Sequence, residues 1–113
     1  MNNKGAAAEL LAANYLITQG LEIIVRNYHT RFGEIDLIAK DKSTLVFVEV
    51  RSRSTNAFGG AAASITKAKS AKLWKTAQIY LTQFPSLPVC RFDAVLITGQ
   101  PPQIEWLRHI IEA

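Results

Sequence analysis

The sequence predicts an α/β fold in which a mixed sheet is flanked by helices. Two observations carry this prediction. Apolar residues recur at helical spacing in two segments, and shorter runs rich in Val, Ile and Phe lie between and after them. The predicted order is helix, three strands, helix and then further strands, as in a sheet with helices packed on it. With 113 residues, we expect a single domain over residues 1–113.

The first helix is predicted from about Asn3 to Gln19, because Gly20 is the residue type that most often follows a helix. A second helix is predicted to begin near Ser64 or Thr66, after a polar loop, and to run to about Phe84, where prolines follow. The predicted strands are Leu21–Tyr28, Gly33–Lys40, Leu45–Arg53, Arg91–Thr98 and Gln103–Leu107.

Two acidic residues, Asp36 and Glu49, interrupt the apolar runs of neighbouring strands. The polar segment Asp41–Thr44 predicts a four-residue loop and an antiparallel hairpin, in which Lys40 faces Leu45 and Asp36 faces Glu49. Residues directly opposite each other on neighbouring strands have Cβ atoms about 5 Å apart. At that separation, two carboxylates can share a divalent ion.

Alternation in this register places one apolar set of side chains against a core and leaves a mixed set on the other face. The apolar set is Ile35, Leu37, Ala39, Val46, Val48 and Val50. The mixed set is Glu34, Asp36, Ile38, Leu45, Phe47, Glu49, Arg51 and Arg53. Because an unpaired buried carboxylate is costly, the two acids either bind a metal or form an ion-pair ladder with the two arginines.

Metal-dependent phosphodiester hydrolysis needs oxygen ligands and a cation near the charge of the transition state. Arg51 follows Glu49 by two residues on the same face and is placed to clamp a phosphate oxygen, although its permanent charge makes it a poor base. Glu9 is the one acid in the small, apolar part of the first helix. It either reaches the same centre or is an ordinary exposed glutamate.

The net charge of +4 favours polyanionic partners. Four lysines lie on the second predicted helix, with Lys69 to one side of the face shared by Lys67, Lys72 and Lys75. They form either a solvated face or, beside an acidic pocket, a track for backbone phosphates. Trp74 in the same helix is interpreted as a packing residue rather than a platform for base stacking.

Other polar residues are given structural interpretations. Cys90 is read as a small buried strand residue, and Asp93 as an ion-pair partner of Arg91 or Arg53. His29 and His109 are solitary in the sequence, without a partner at metal-ligand spacing. No run approaches the roughly twenty apolar residues of a membrane span, so we expect a cytoplasmic protein with no membrane partner.

Several ordered blocks of the chain resemble the YraN family of small bacterial proteins, which is similar to Holliday junction resolvases within the PD-(D/E)XK nuclease superfamily. Asp36 stands for the first acid, and Glu49-Val50-Arg51 for the acid-x-lysine element. The blocks are Glu9, Gly33-Glu34-Ile35-Asp36-Leu37-Ile38, Phe47-Val48-Glu49-Val50-Arg51-Ser52-Arg53, Gly59-Gly60-Ala61-Ala62-Ala63-Ser64-Ile65-Thr66 and Cys90-Arg91-Phe92-Asp93.

The resemblance implies a restriction-endonuclease-like αβββαβ core with Glu9, Asp36 and Glu49 around Mg²⁺ or Mn²⁺, and branched or structured DNA as the substrate. Active nucleases of the superfamily usually have lysine where Arg51 stands. One hypothesis is that Lys67 supplies the missing lysine, and a second is that the protein binds nucleic acid as an accessory factor with little or no cleavage. A purely structural role for the acids is a third.

The sequence leaves the oligomeric state open; junction resolvases act as dimers, so a homodimer is the alternative to a monomer that the resemblance offers. The candidate interface residues are Phe58, Trp74 and Trp106.

Overall fold

The computed structural model describes residues 3–53 and 67–111. Helix α1 spans Asn3–Thr18 and helix α2 spans Lys67–Leu81. The strands are β1 (Glu22–Thr30), β2 (Gly33–Asp41), β3 (Thr44–Arg53), β4 (Cys90–Thr98) and β5 (Gln103–Leu107). The predicted loop from Ser54 to Gly60 and the predicted caps Ser64 and Thr66 lie outside the described residues.

The five strands form one mixed sheet in the order β1-β2-β3-β4-β5. Strands β3 and β4 are parallel, with α2 between them in the chain, and the other neighbouring pairs are antiparallel. Parallel neighbours need a long crossover connection, which explains why a helix separates β3 from β4. The predicted αβββαβ core is therefore confirmed, with β5 added at one edge of the sheet.

Helix α1 ends as the sequence predicts. Gly20 has φ +97°, and Leu21 donates a backbone hydrogen bond of 3.0 Å to the carbonyl of Leu16. This is the bond that closes a helix when a glycine in the left-handed region follows it. The chain then turns directly into β1. No helix in the described part of the chain is long and apolar enough to cross a membrane.

The two helices cover opposite faces of the sheet, each over its own cluster of apolar side chains. Leu16 of α1 is fully buried against a set that includes Leu37, Val46 and Val48. On the other face, Leu73 of α2 packs with a set that includes Phe47. Alternating side chains of β2 and β3 feed the two clusters, as strand geometry requires.

The β2–β3 hairpin has the predicted register, with Lys40 opposite Leu45 and Leu37 opposite Val48. The predicted four-residue loop is wrong. Asp41 is itself paired with Thr44, so only two residues connect the strands. Lys42, the first of them, has φ +57°.

One predicted face assignment is also wrong. Ile35 lies in the cluster beneath α2, together with Ile38, instead of sharing the α1 side with Leu37. Two residues three apart can share a face only where strand alternation is interrupted. The interruption lies between Ile35 and Leu37, where the pairing of β1 with β2 passes from Tyr28 opposite Ile35 to Arg26 opposite Leu37. Between these pairs in β1, Asn27 has a φ of +55°, outside the strand region.

Asp93 is fully buried near the far end of the sheet and accepts hydrogen bonds from three groups. Arg91 Nε donates at 3.1 Å, Trp106 Nε1 at 2.9 Å and the His109 backbone N–H at 3.1 Å. The prediction that Asp93 pairs with Arg91 is confirmed. These contacts account for the charge of Asp93 without a ligand.

Candidate metal and nucleic-acid site

The candidate site lies where β2 and β3 separate. Regular pairing runs from the turn to Leu37 opposite Val48, and the same register continued places Asp36 opposite Glu49. At that point Asp36 Oδ2 accepts a hydrogen bond of 2.8 Å from the backbone N–H of Val50. A side-chain carboxylate thus takes the place of a backbone acceptor, which fixes its position in the opening between the strands.

Glu49 is buried beside Asp36, and the two carboxyl groups are hydrogen-bonded to each other. The pKa of Glu49 is raised to about 8, first because burial removes water from the charged form, and then by the hydrogen bond and the charge of Asp36. The positive charges of Arg51 and Lys69 act in the opposite direction. This contact agrees with the predicted proximity of the two acids, and their role as metal ligands stays a prediction.

Arg51 extends from β3 on the same side as Glu49, and its Nη2 lies 3.4 Å from Glu49 Oε1. Its Nε is buried and has no hydrogen-bond partner among the described residues. The guanidinium therefore contacts Glu49 on one side and keeps other N–H groups that could donate hydrogen bonds to an anion. The predicted ion-pair ladder is present in part, because Arg51 pairs with Glu49 while Arg53 makes no ion pair with a described acid.

Glu9 faces the same opening from α1. Its pKa is raised, mainly by burial and then by the charge of Asp36, while a hydrogen bond with Asn27 acts in the opposite direction. Within residues 3–53 and 67–111, no three His, Cys, Asp or Glu side chains converge closely enough to enclose a metal ion. The structure thus brings Asp36 and Glu49 together and places Glu9 at their border, where its role as a ligand stays a prediction.

His29 is not solitary as the sequence suggested. Its Nδ1 lies 3.1 Å from Glu34 Oε2, and the two residues pair across β1 and β2. Both line the opening beside Glu9 and Asp36. The pairing of β1 with β2 was the missing information, because it makes neighbours of two residues that the turn separates in sequence.

Basic side chains surround the acid pair. Arg53, Lys69 and Lys72 line the same groove, whose volume is about 1420 Å³, larger than the roughly 300–1,000 Å³ of most small-molecule sites. Lys69, which the sequence placed to the side, is the described lysine whose charge reaches Glu49. The Lys67 side chain lies outside the described residues, so the hypothesis that it replaces the missing lysine stays a prediction.

Trp74, Trp106 and Cys90 are held by packing, hydrogen bonding or burial within the fold. Trp74 packs on Phe92 with ring centroids 5.4 Å apart, which confirms the packing interpretation. Trp106 is hydrogen-bonded to Asp93 and lies beneath Arg108, and Phe58 lies outside the described residues. Cys90 is half-buried at the start of β4, and burial raises the pKa of its thiol.

The sheet order, the two covering helices and an acid pair at the separation of β2 and β3 define an α/β protein with a restriction-endonuclease-like core. Comparison of the sequence with known families gives the narrower assignment. The model of the uncharacterised protein family UPF0102 matches residues 8–97, and the chain belongs to this family.

Its relatives are similar along nearly their whole length. A UPF0102 protein of Methylobacillus flagellatus is 53% identical over 114 aligned positions, covering 100% of each chain. A UPF0102 protein of Nitrosomonas europaea is 52% identical over 111, covering 97% of this chain and 94% of the relative. A third, from Psychromonas ingrahamii, is 47% identical over 111, with 98% and 91% coverage.

Proposed function

We propose that this protein is a metal-dependent endonuclease that hydrolyses phosphodiester bonds in branched or structured DNA, with Mg²⁺ or Mn²⁺ as its metal. The observation that carries the proposal is the contact between Asp36 and Glu49 inside a groove with basic walls. An acid pair alone would repel a phosphate backbone, and basic side chains alone would bind it without chemistry. Their combination is what hydrolysis of a polyanion requires.

The donor set fits a divalent cation. Asp36 and Glu49 present hard carboxylate oxygens, the ligands that Mg²⁺ prefers in proteins, and their mutual contact is unfavourable unless a proton or cation lies between them. Glu9 lines the same groove from α1 and would become a third ligand only by moving towards the pair. When bound, the cation would neutralise phosphate charge and lower the pKa of a water molecule.

The chain's own residues then have distinct tasks. The backbone of Val50 holds the Asp36 carboxylate through a hydrogen bond of 2.8 Å, so this ligand is oriented before metal or substrate arrives. Arg51, 3.4 Å from Glu49, donates to the phosphate and stabilises the negative charge that develops on it. Arg53 and Lys72 on the groove wall hold the adjoining backbone, and Lys75 extends the same helix face.

Arg51 supports a second candidate function. Because a guanidinium does not lose its proton at physiological pH, Arg51 cannot remove a proton from water as a lysine could. A protein with this arrangement that retains metal and DNA but turns over slowly would act as a nucleic-acid-binding accessory factor. A homodimer would supply the paired sites that symmetrical cutting of a branched substrate requires.

The test is a cleavage and binding assay on duplex, single-stranded, flap and four-way-junction DNA with Mg²⁺ or Mn²⁺. The endonuclease proposal expects cleavage of the branched substrates by the wild type and its loss in Asp36→Ala and Glu49→Ala. Arg108→Ala is the control, because Arg108 lies over Trp106 rather than along the groove. Salt-dependent binding without cleavage would support the accessory function instead, and absence of both would refute the two together.

A further inference from the structure

The turn between β1 and β2 brings Arg31 and Phe32, which the sequence did not single out, to the lysines of α2. Phe32 at this turn has two cations over its ring, Arg31 with Cζ at 4.9 Å from the centroid and Lys75 of α2 with Nζ at 4.8 Å. Both cations are exposed, whereas the ring is half-buried. The Phe32 ring thus contacts two like charges that come from different parts of the fold, the β1–β2 turn and α2.

The turn is packed closely against α2. A Cβ atom added at Gly33 would lie 3.4 Å from Thr76 Oγ1 and 3.7 Å from Lys72 Cβ. Thr76 is fully buried, so the turn rests on a fixed part of the helix. Lys72 is exposed, and its Cβ lies beside Gly33 of the same turn, so it is grouped with Arg31 and Lys75. We name Arg31, Phe32, Lys72 and Lys75 the turn cluster.

The charge of the turn cluster is not neutralised by the acids of the described chain. None of the ion pairs among the described residues includes Arg31, Lys72 or Lys75. Glu34, the nearest acid along β2, is instead paired with His29. Like charges gathered without a counter-charge repel one another, and an anion placed among them removes that repulsion.

We propose that the turn cluster binds a backbone phosphate of the nucleic-acid strand that lies in the groove, away from the phosphate at the acid pair. This inference rests on the proposed function. It adds a contact that the catalytic groups do not supply and names its ligand as a phosphodiester rather than a base. Phe32 orients the cations in this arrangement, and Arg31, Lys72 and Lys75 contact the phosphate.

The fold fixes the spacing between the two phosphate contacts. Phe32 precedes Asp36 by four residues, which corresponds to about 13 Å along a strand at roughly 3.3 Å per residue. Lys72 lines the groove, so no other element separates the turn cluster from it. The bound phosphate is therefore a different one from that at Asp36 and Glu49, farther along the same nucleic-acid strand.

The test is DNA binding measured by fluorescence anisotropy in EDTA, over salt concentrations from about 50 to 200 mM. Each phosphate contact contributes a slope of about 0.9, which at 0.1 M salt is about eightfold in affinity. We expect Arg31→Ala to raise Kd about eightfold and to lower the slope by about one. Phe32→Leu keeps every charge, so it should raise Kd only about two- to fivefold and leave the slope unchanged.

Arg108→Ala is the matched control, because this arginine also lies over an aromatic ring, at 3.8 Å from the Trp106 centroid, and is not among the groove residues. It should leave Kd and slope near wild type. A thermal melt of each variant checks that the fold is kept. A scan of single uncharged methylphosphonates along the strand should find one position that weakens binding by the wild type more than binding by Arg31→Ala, because the variant keeps only the two lysines at that phosphate.

The outcomes separate this inference from the proposed function. Unchanged Kd and slope in Arg31→Ala, with normal cleavage, would overturn the turn cluster and leave the endonuclease standing. Weaker binding in Arg31→Ala, with a wild type that binds but does not cleave, would support the turn cluster and overturn hydrolysis. Failure of the wild type to bind DNA both in EDTA and with a divalent cation present would overturn both.

Discussion

The raised pKa of Glu49 makes metal binding depend on pH. At neutral pH the metal-free protein keeps a proton on this carboxyl group, because burial and the neighbouring Asp36 disfavour its charge. A divalent cation must displace that proton, so binding releases it to the solvent. We therefore expect Mg²⁺ affinity to rise with pH up to about 8 and to change little above it.

The size of the effect follows from the pKa. Each pH unit below the pKa lowers the charged fraction of Glu49 about tenfold. For a pKa of about 8, the Mg²⁺ affinity should therefore fall about 50-fold from pH 8 to pH 6. Isothermal titration calorimetry in buffers of different ionisation enthalpy measures both the affinity and the released proton. NMR of the Glu49 carboxyl carbon gives the midpoint directly, and Asp36→Asn should lower it by removing a negative charge.

The same pKa predicts how the stability of the metal-free protein changes with pH. Glu49 binds its proton more tightly in the folded chain than at its ordinary value of 4.5. Its contribution to the free energy of unfolding is therefore complete below about pH 4.5 and is lost as pH rises through about 8. Glu49→Gln, which mimics the protonated acid, should remove this dependence. Mg²⁺ affinity that is flat from pH 6 to 8, or a Glu49 midpoint near 4.5, would refute the reasoning.

Three further predictions concern chemistry and stability. Arg51→Ala should lower the cleavage rate about 10²- to 10³-fold in single-turnover assays, because one donor that stabilises the transition-state charge is lost. Arg51→Lys should keep more of the activity. Equal rates in the wild type and both variants would contradict this role. Asp93→Ala should cost about 3–5 kcal/mol in urea unfolding, because three donors lose their acceptor and Arg91 keeps Asp41 as its one remaining counter-charge among the described residues. Glu105→Ala, at an exposed position of β5, should stay within about 0.5 kcal/mol. Leu16→Ala should lower the free energy of unfolding by about 2–5 kcal/mol, because Leu16 is fully buried. Leu10→Ala should lower it by about 0.5 kcal/mol or less, because Leu10 is 54% exposed. Similar values for the two variants would argue against the α1 packing.

The sequence predicted the features that depend on local pattern. Gly20 ended α1, and the polar segment around Lys42 set the register that places Asp36 by Glu49. The assignment of Asp93 to Arg91 was also correct, because a buried acid on a strand needs a nearby cation.

The features that the sequence could not predict depend on contacts between distant segments of the chain. Ile35 moved to the α2 side because strand alternation is interrupted at Asp36, and no residue pattern announces such an interruption. Arg31 and Phe32 gain their role only when the β1–β2 turn meets Lys75 of α2. His29 finds Glu34 only once β1 is paired with β2.

Direct measurement of bound Mn²⁺ by electron paramagnetic resonance at about pH 8 tests the central claim, that Asp36 and Glu49 together hold a divalent cation. Wild-type protein is expected to bind the ion, Mg²⁺ is expected to displace it, and Asp36→Asn and Glu49→Gln are each expected to lose it while keeping a folded thermal melt. Binding of equal affinity in the wild type and both variants, or no binding by the wild type, would contradict the account.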